Sequence, residues 1–309
     1  MKVLPTSVLV LATASTSLAH PTPEKRAITD VDILQYALTL EHLEDRFYRE
    51  GLANFTKEDF MEAGFNETFY NNIKEVSYDE TTHVSFLTKA LQGVNAAPVA
   101  ECTYAFGITD VKTFVATASI LEGVGVSAYL GAAASIMEKA YITAAGSILT
   151  LESRHSAYLR AAQHQSPLPQ AFDAPLGFNQ VYTLAAPFIK SCPESNGMLP
   201  VKAFPMLMLD ASNLNIMTNA WITLDTKGYV VEKPADCELY AAWASVTGPT
   251  FVPATWEGNG KFKTSVPPGF HGQSYVVITT KRDCMTDDCV IAGPAIVEVQ
   301  GVQGTEMMR

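Results

Sequence analysis

The sequence predicts a two-domain α+β protein, a four-helix bundle with a short fifth helix followed by an antiparallel β-sandwich. Three observations carry this expectation. Apolar residues recur with a helical period in four long stretches before Cys192. Beyond Cys192 the apolar runs shorten and alternate with a period of two, separated by Gly, Pro, Asn and Asp clusters. The length of 309 residues leaves room for both units.

The N-terminus indicates where the chain goes. Met1-Lys2 is a short basic end, an apolar run lies within Val8 to Ala14, and Ser17-Leu18-Ala19 is a small-x-small cleavage pattern, so residues 1–19 read as a secretory signal peptide. That segment is too short to span a membrane. Residues 20–26 are Pro-rich and end in Lys25-Arg26, a dibasic pair of the kind a kexin-like protease cuts. Cleavage there makes this stretch a propeptide and Ala27 the mature N-terminus; the alternative is an ordinary charged linker. No later segment reads as a membrane span, because Glu122, Glu138 and Lys139 interrupt the apolar region from Phe114 to Leu151. The stretch from Gly301 to Arg309 lacks the hydrophobic tail of a lipid anchor. A soluble, secreted protein is the expectation.

The bundle is expected over residues 27–192. Its first helix opens at Thr29-Asp30, carries Ile33, Leu34, Ala37, Leu38, Glu41, Glu44 and Tyr48 on one stripe, and is expected to end at Gly51. A second follows Asn66 to Thr68, runs through Ile73, Val76, Glu80, His83 and Leu87, and stops near Gly93. The third begins at Thr109-Asp110, and its Gly123, Gly125, Ala128 and Gly131 leave room for close helix approach. A fourth runs from Lys139 to Gln163, and Gly177 to Ile189 forms a short fifth that covers the bundle. Across residues 193–309, about seven apolar runs in roughly a hundred residues read as a sandwich of immunoglobulin-like type. His271 and Asp287-Asp288 make no catalytic constellation there, so a binding or structural module is the expected role.

Composition narrows the partners. With 21 basic and 32 acidic residues the net charge is -11, and no Lys/Arg cluster interrupts it, so nucleic acid and anionic membranes are not expected. The sequons at Asn54 and Asn66 flank the turn between the first two helices, where sugar would be harmless. Five cysteines is an odd number. Cys102 lies just before the third helix and Cys192 just after the last helical stretch, so a disulfide between them suits an oxidising compartment. Of Cys237, Cys284 and Cys289, one must be free or paired to another chain.

The chemistry concentrates in the bundle. Glu152-Ser153-Arg154-His155 places a carboxylate and an imidazole three residues apart, on one helical face, where they can grip one ion. Glu122, across a turn near residues 135–138, reaches the same level at ~1.5 Å of rise per residue. The first two helices repeat this pattern with Glu41 and then Glu80 and His83. Each single glutamate is followed seven residues later by a tyrosine, Tyr48 and Tyr129. An unpaired carboxylate or imidazole on these apolar stripes would cost several kcal/mol, so partners must exist. The set Glu41, Glu80, His83, Glu122, Glu152 and His155 is therefore read as a site for two metal ions; the alternative is a metal-free hydrogen-bonded network. Glu44 shares the face of Glu41, and the repeated step to tyrosine favours Glu41 as ligand, with Glu44 supporting it or forming an extra bridge. Tyr48 and Tyr129 either hydrogen-bond the ligating carboxylates or are core tyrosines. His42 points about 100° away from Glu41 around the helix and reads as a packing or surface residue. Arg154 is expected to pair with a nearby carboxylate, and His164 reads as a helix-end residue.

Two single glutamates with two Glu-x-x-His pairs on four helices form the set of the ferritin-like di-iron and di-manganese carboxylate proteins, and residues 30–164 resemble that superfamily. Leu38-Thr39-Leu40-Glu41-His42-Leu43-Glu44, Leu121 to Tyr129 and Ile148 to His155 are similar to the secreted ferritin-like proteins of fungi and plants associated with stress and desiccation. With the sandwich included, the resemblance covers nearly all of the mature chain. It implies two ions, iron or manganese first and zinc next, and the chemistry of ferroxidases, peroxidases and manganese catalases. The expected function is that of a secreted oxidoreductase acting on peroxide or dioxygen in stress protection. A non-enzymatic protein that sequesters metal outside the cell, or a structural one stapled by the site, is the alternative. A ferritin-type cage is not expected, because the sandwich and the glycosylated turn would obstruct it.

Overall fold

A computed structural model describes residues 27–231, 233 and 237–306, so the signal peptide and propeptide expected over residues 1–26 lie outside the described residues. Helices α1 (Asp30–Asn54), α2 (Lys57–Glu62), α3 (Glu67–Gly93), α4 (Val111–Ala133), α5 (Lys139–Ala162) and α6 (Phe178–Ala185) form the first unit. Strands β1 (Thr103–Tyr104) and β2 (Ile189–Ser191) pair at its edge. The second unit contains β3 (Met208–Leu209), β4 (Trp221–Asp225), β5 (Leu239–Trp243), β6 (Thr250–Gly258), β7 (Lys261–Ser265), β8 (Gly272–Thr279) and β9 (Val290–Val299). A single turn, α7 (Gln303–Glu306), follows.

The helix starts follow from local chemistry. Thr29 with Asp32, Thr56 with Asp59 and Asp110 with Thr113 form reciprocal caps, and the Asn66 side chain accepts the Phe69 amide at 2.8 Å. Packing then sets the directions. Leu34 and Leu38 share a cluster with Leu87 and Leu91, whereas Phe47 and Tyr48 share one with Phe69 and Ile73, so α1 and α3 run antiparallel. Ile33 meets Ala132 and Ile136 while Phe47 stacks on Phe114, so α1 and α4 are antiparallel too. Two corrections follow. Helix α1 does not end at Gly51; it continues to Asn54, and a Cβ at position 51 would lie 2.1 Å from the Phe114 ring. The glycine is there to admit an aromatic side chain, not to stop the helix. The turn expected between the first two long helices also contains α2, whose Phe60 is fully buried in the same aromatic cluster.

In the second unit, β3, β4, β7 and β6 lie side by side, and β6 continues to β5, β8 and β9. Residues 250–254 of β6 pair with β5 and residues 255–258 pair with β7, so this strand passes from one sheet to the other. Numbered from β3, first, second, fifth and fourth strands form one sheet and third, sixth and seventh the other, the immunoglobulin constant-type order. Leu224 and Phe262 of one sheet and Trp243, Val276 and Val297 of the other enclose one core.

The sandwich packs on α4 and α6. Arg160, buried at the end of α5, makes a bidentate pair with Glu298 of β9 at 3.0 and 2.8 Å. The Tyr275 hydroxyl donates to the Gly123 carbonyl at 2.7 Å. Arg154, in contrast, is exposed and makes no ion pair among the described residues, so the expected carboxylate partner belongs to Arg160 instead. Cys102 and Cys192 form a disulfide beside the β1–β2 pair, Cys284 and Cys289 form a second, and Cys237 is the free cysteine. By length and composition α4 could cross a membrane, but 61% of its most apolar window is buried in the protein and it carries Glu122.

Candidate metal centre

The centre lies at mid-height of the bundle, between the aromatic cluster of Phe47, Phe60 and Phe114 and the aliphatic clusters around Leu38 and Ile136. Helix α1 supplies Glu41, α3 supplies Glu80 and His83, α4 supplies Glu122, and α5 supplies Glu152 and His155. The i, i+3 spacing turns each Glu and His inward from one helix face. All six are buried, and Glu80, Glu122 and Glu152 are fully so.

These side chains form two overlapping groups. Donor atoms of Glu41, Glu80, His83 and Glu152 lie within 4.8 Å of one another, and so do those of Glu80, Glu122, Glu152 and His155. Glu80 and Glu152 belong to both. His83 Nδ1 is 3.2 Å from Glu41 Oε2 and 3.2 Å from Glu80 Oε2, whereas His155 Nδ1 is 3.2 Å from Glu80 Oε1 and 3.2 Å from Glu122 Oε2. Each oxygen of Glu80 thus faces one histidine.

Neighbouring side chains hold the carboxylates in place. Tyr48 on α1 donates to Glu122 Oε1, and Tyr129 on α4 donates to Glu41 Oε1, so the two tyrosines cross between the helices. Asp79 Oδ2 lies 3.2 Å from His155 Nε2, where a carboxylate fixes the ring orientation and leaves Nδ1 facing inward. The sequence reading missed Asp79, although it adjoins Glu80. Glu44 belongs to neither group. It borders the centre: a Cβ at position 125 would lie 3.0 Å from Glu152 Oε2 and 3.2 Å from Glu44 Oε1, so only glycine leaves both carboxylates their space. His42 turns away, with Nε2 3.1 Å from the Val99 carbonyl.

The electrostatics of so many acids in a dry interior are severe. Burial and the neighbouring carboxylates push Glu44 and Glu152 well above the usual range. Burial pushes Glu80 up to about 7 against the opposing pull of both histidines. Burial also acts upward on Glu122, but the hydrogen bond and charge of His155 outweigh it and hold the group below its ordinary value. Burial acts downward on the histidines; their carboxylate partners outweigh it and raise His83 to about 10 and His155 to about 11. Without metal, both imidazoles are therefore cations.

Protons leave the centre incompletely satisfied. Both oxygens of Glu152 and Oε1 of Glu80 are buried without a well-aligned hydrogen bond, although His83 Nδ1 lies 3.4 Å from Glu152 Oε1 and His155 Nδ1 3.2 Å from Glu80 Oε1. Each such group costs on the order of 1–3 kcal/mol or more, and a cation between the helices would remove that cost. Four glutamates and two imidazoles make an oxygen-rich set with some nitrogen, suited to iron, manganese or zinc. The residues present fit a pair of metal ions.

Antiparallel helices with two ligand groups that share two glutamates define the helical unit as a ferritin-like domain, and residues 29–165 match the family model described as ferritin-like domain. Along nearly its full length the chain is also similar to Protein rds1 of Schizosaccharomyces pombe, at 24% identity over 96% of this chain and 87% of that protein.

Proposed function

We propose that the protein is a secreted dinuclear-metal oxidoreductase that acts on dioxygen or peroxide in stress protection, with iron or manganese in the site. The observation that carries this reading is the sharing of Glu80 and Glu152 between the two ligand groups, with neither Glu152 oxygen held in a well-aligned hydrogen bond. Two ions held by these groups would supply the exchange of two electrons with an oxygen species. The chain's own residues bind and orient: Tyr48 and Tyr129 hold Glu122 and Glu41, Asp79 holds His155, and the apolar clusters on either side exclude water.

The two disulfides support an oxidising compartment, in keeping with the leader-like N-terminus. Asn54 and Asn66 are both exposed, and the Asn66 cap uses Oδ1, which leaves Nδ2 for a glycan. Packing of the sandwich on α4 and α6 covers one side of the bundle and argues against a storage cage.

Anaerobic loading with Fe(II) or Mn(II), followed by rapid mixing with dioxygen or hydrogen peroxide, tests the reading. The expected result is about two ions per chain and oxidation over many cycles. Bound metal without turnover would replace the enzyme with a metal-sequestering protein, and no bound metal would leave a structural one.

A further inference from the structure

Where the bundle meets the sandwich, a cavity of about 200 Å³ opens between α4, α5, β8 and the loop that follows α5. Ser153, Ser156, Ala157 and Arg160 reach it at helical spacing from α5, on a face turned away from that of Glu152 and His155. Gln273 and Tyr275 come from one face of β8, and Gln170 and Asp173 come from the loop. Leu168, exposed on the same loop, stands at the mouth. Two glycines keep the walls close. A Cβ at position 123 would lie 2.5 Å from Gln273 Nε2, and one at position 272 would lie 2.5 Å from Pro169 Cγ.

Some polar groups of this wall are already engaged. Arg160 places both terminal nitrogens on Glu298 and its Nε on the Ser166 carbonyl. Ser127 and Ser153 donate to carbonyls of their own helices, and Tyr275 donates to the Gly123 carbonyl. Others are held in place with capacity to spare. The Gln273 amide donates to Tyr275 and to the Ile120 carbonyl, which leaves its Oε1 as an acceptor. Gln170 Oε1 accepts the His271 amide, which leaves its Nε2 as a donor. The Ser156 hydroxyl and the Asp173 carboxyl group have no hydrogen-bond partner among the described residues.

These groups select the occupant. The cavity has room for about six waters and exceeds the roughly 150 Å³ that accommodates benzene, so it fits a single six-membered ring with short substituents. A purely apolar ring would displace water from Ser156, Gln170, Asp173 and Gln273 without replacing its hydrogen bonds. Water alone leaves the Val126, Ala157 and Pro169 surfaces wet, whereas the C–H groups of a saturated ring cover them. An anion would meet the Asp173 carboxylate, and the guanidinium in the wall is already neutralised by Glu298.

We propose that this cavity is a binding site for one neutral polyhydroxylated ring, a pyranose sugar or a cyclitol. Ring hydroxyls donate to Asp173 and to Gln273 Oε1 and accept from Gln170 Nε2, while ring C–H groups meet Val126 and Ala157. The site is separate from the metal centre and operates whether or not the helices hold ions.

Titration calorimetry of the protein with D-glucose, D-mannose and myo-inositol tests it. At least one of these probes is expected to bind at one molecule per chain with a Kd of about 1 mM or tighter, and its phosphorylated form about tenfold more weakly or worse. Asp173→Asn removes a charged acceptor and is expected to weaken binding about tenfold. Ser156→Leu fills the cavity and abolishes binding. Neither side chain has a partner to lose, so both unliganded variants are expected to melt with the wild type; Asp173→Asn, which keeps the side-chain shape, decides the matter if Ser156→Leu does not fold. No binding of any of the three probes at about 10 mM overturns the inference. Binding that neither variant alters, or tighter binding of the phosphorylated form, overturns it as well.

Discussion

Tyr48 on α1 donates its phenolic proton to Glu122 on α4. Tyr129 on α4 makes the corresponding bond to Glu41 on α1, so each helix orients the other's ligand. Tyr48 is fully buried and Tyr129 largely so, and burial together with the adjacent carboxylates raises their pKa well above 10, which keeps them proton donors. Tyr48→Phe and Tyr129→Phe each remove one hydrogen bond to a buried carboxylate. Each is expected to cost about 1.5–3 kcal/mol of metal-free stability, and about 10- to 100-fold in metal affinity. Calorimetry and competition with a chelator check both figures; unchanged affinity in both variants would reduce the tyrosines to packing.

Reduction of Cys102–Cys192 is expected to act on stability alone. The two residues are 90 apart in sequence, and closing a loop of that size in the unfolded chain contributes up to about 4–5 kcal/mol. The bond adjoins β1 and β2, whereas all six ligands lie on α1, α3, α4 and α5. Cys102→Ser should therefore lower Tm while leaving the metal content unchanged, which thermal melts and elemental analysis would show.

Acid should move the two forms of the protein in opposite directions. Without metal, the folded pKa values of His83 and His155, about 10 and 11, exceed an unfolded value of about 6.5. The stability they contribute is full below about pH 6.5 and declines as pH rises through the folded values. Glu80, raised to about 7, adds the same sign, since its burial cost is relieved as pH falls from 7 toward its unfolded value. With metal bound, the histidines must be neutral ligands, so their effective folded pKa drops below 6.5 and their contribution is lost as pH falls through it. Calorimetry from about pH 8 to 5 is expected to show Tm rising for the metal-free form and falling for the loaded form. Parallel curves would mean that these histidines do not hold metal.

Much of this was legible in the chain, because helical period, caps and the Glu-x-x-His spacing are local. Thr29, Asn66 and Asp110 mark helix starts, and the two motifs carry their own geometry. What escaped depends on neighbours distant in sequence. Gly51 resembles a stop signal until Phe114 is seen against it. Arg154 and Arg160 lie on the same helix, and only the docking of β9 shows which one finds an acid. The role of Asp79 rests on the ring orientation of His155, and the passage of β6 between sheets rests on two non-local pairings.

The central claim is that Glu80 and Glu152 are shared by two ions. Metal analysis with anomalous diffraction on loaded wild-type, Glu41→Ala, Glu80→Ala and Glu152→Ala proteins tests it most directly. Wild type should show two anomalous peaks between the shared glutamates. Glu41→Ala should weaken the site that contains His83, whereas Glu80→Ala or Glu152→Ala should deplete both. Two fully occupied sites in either of the last two variants would contradict the account.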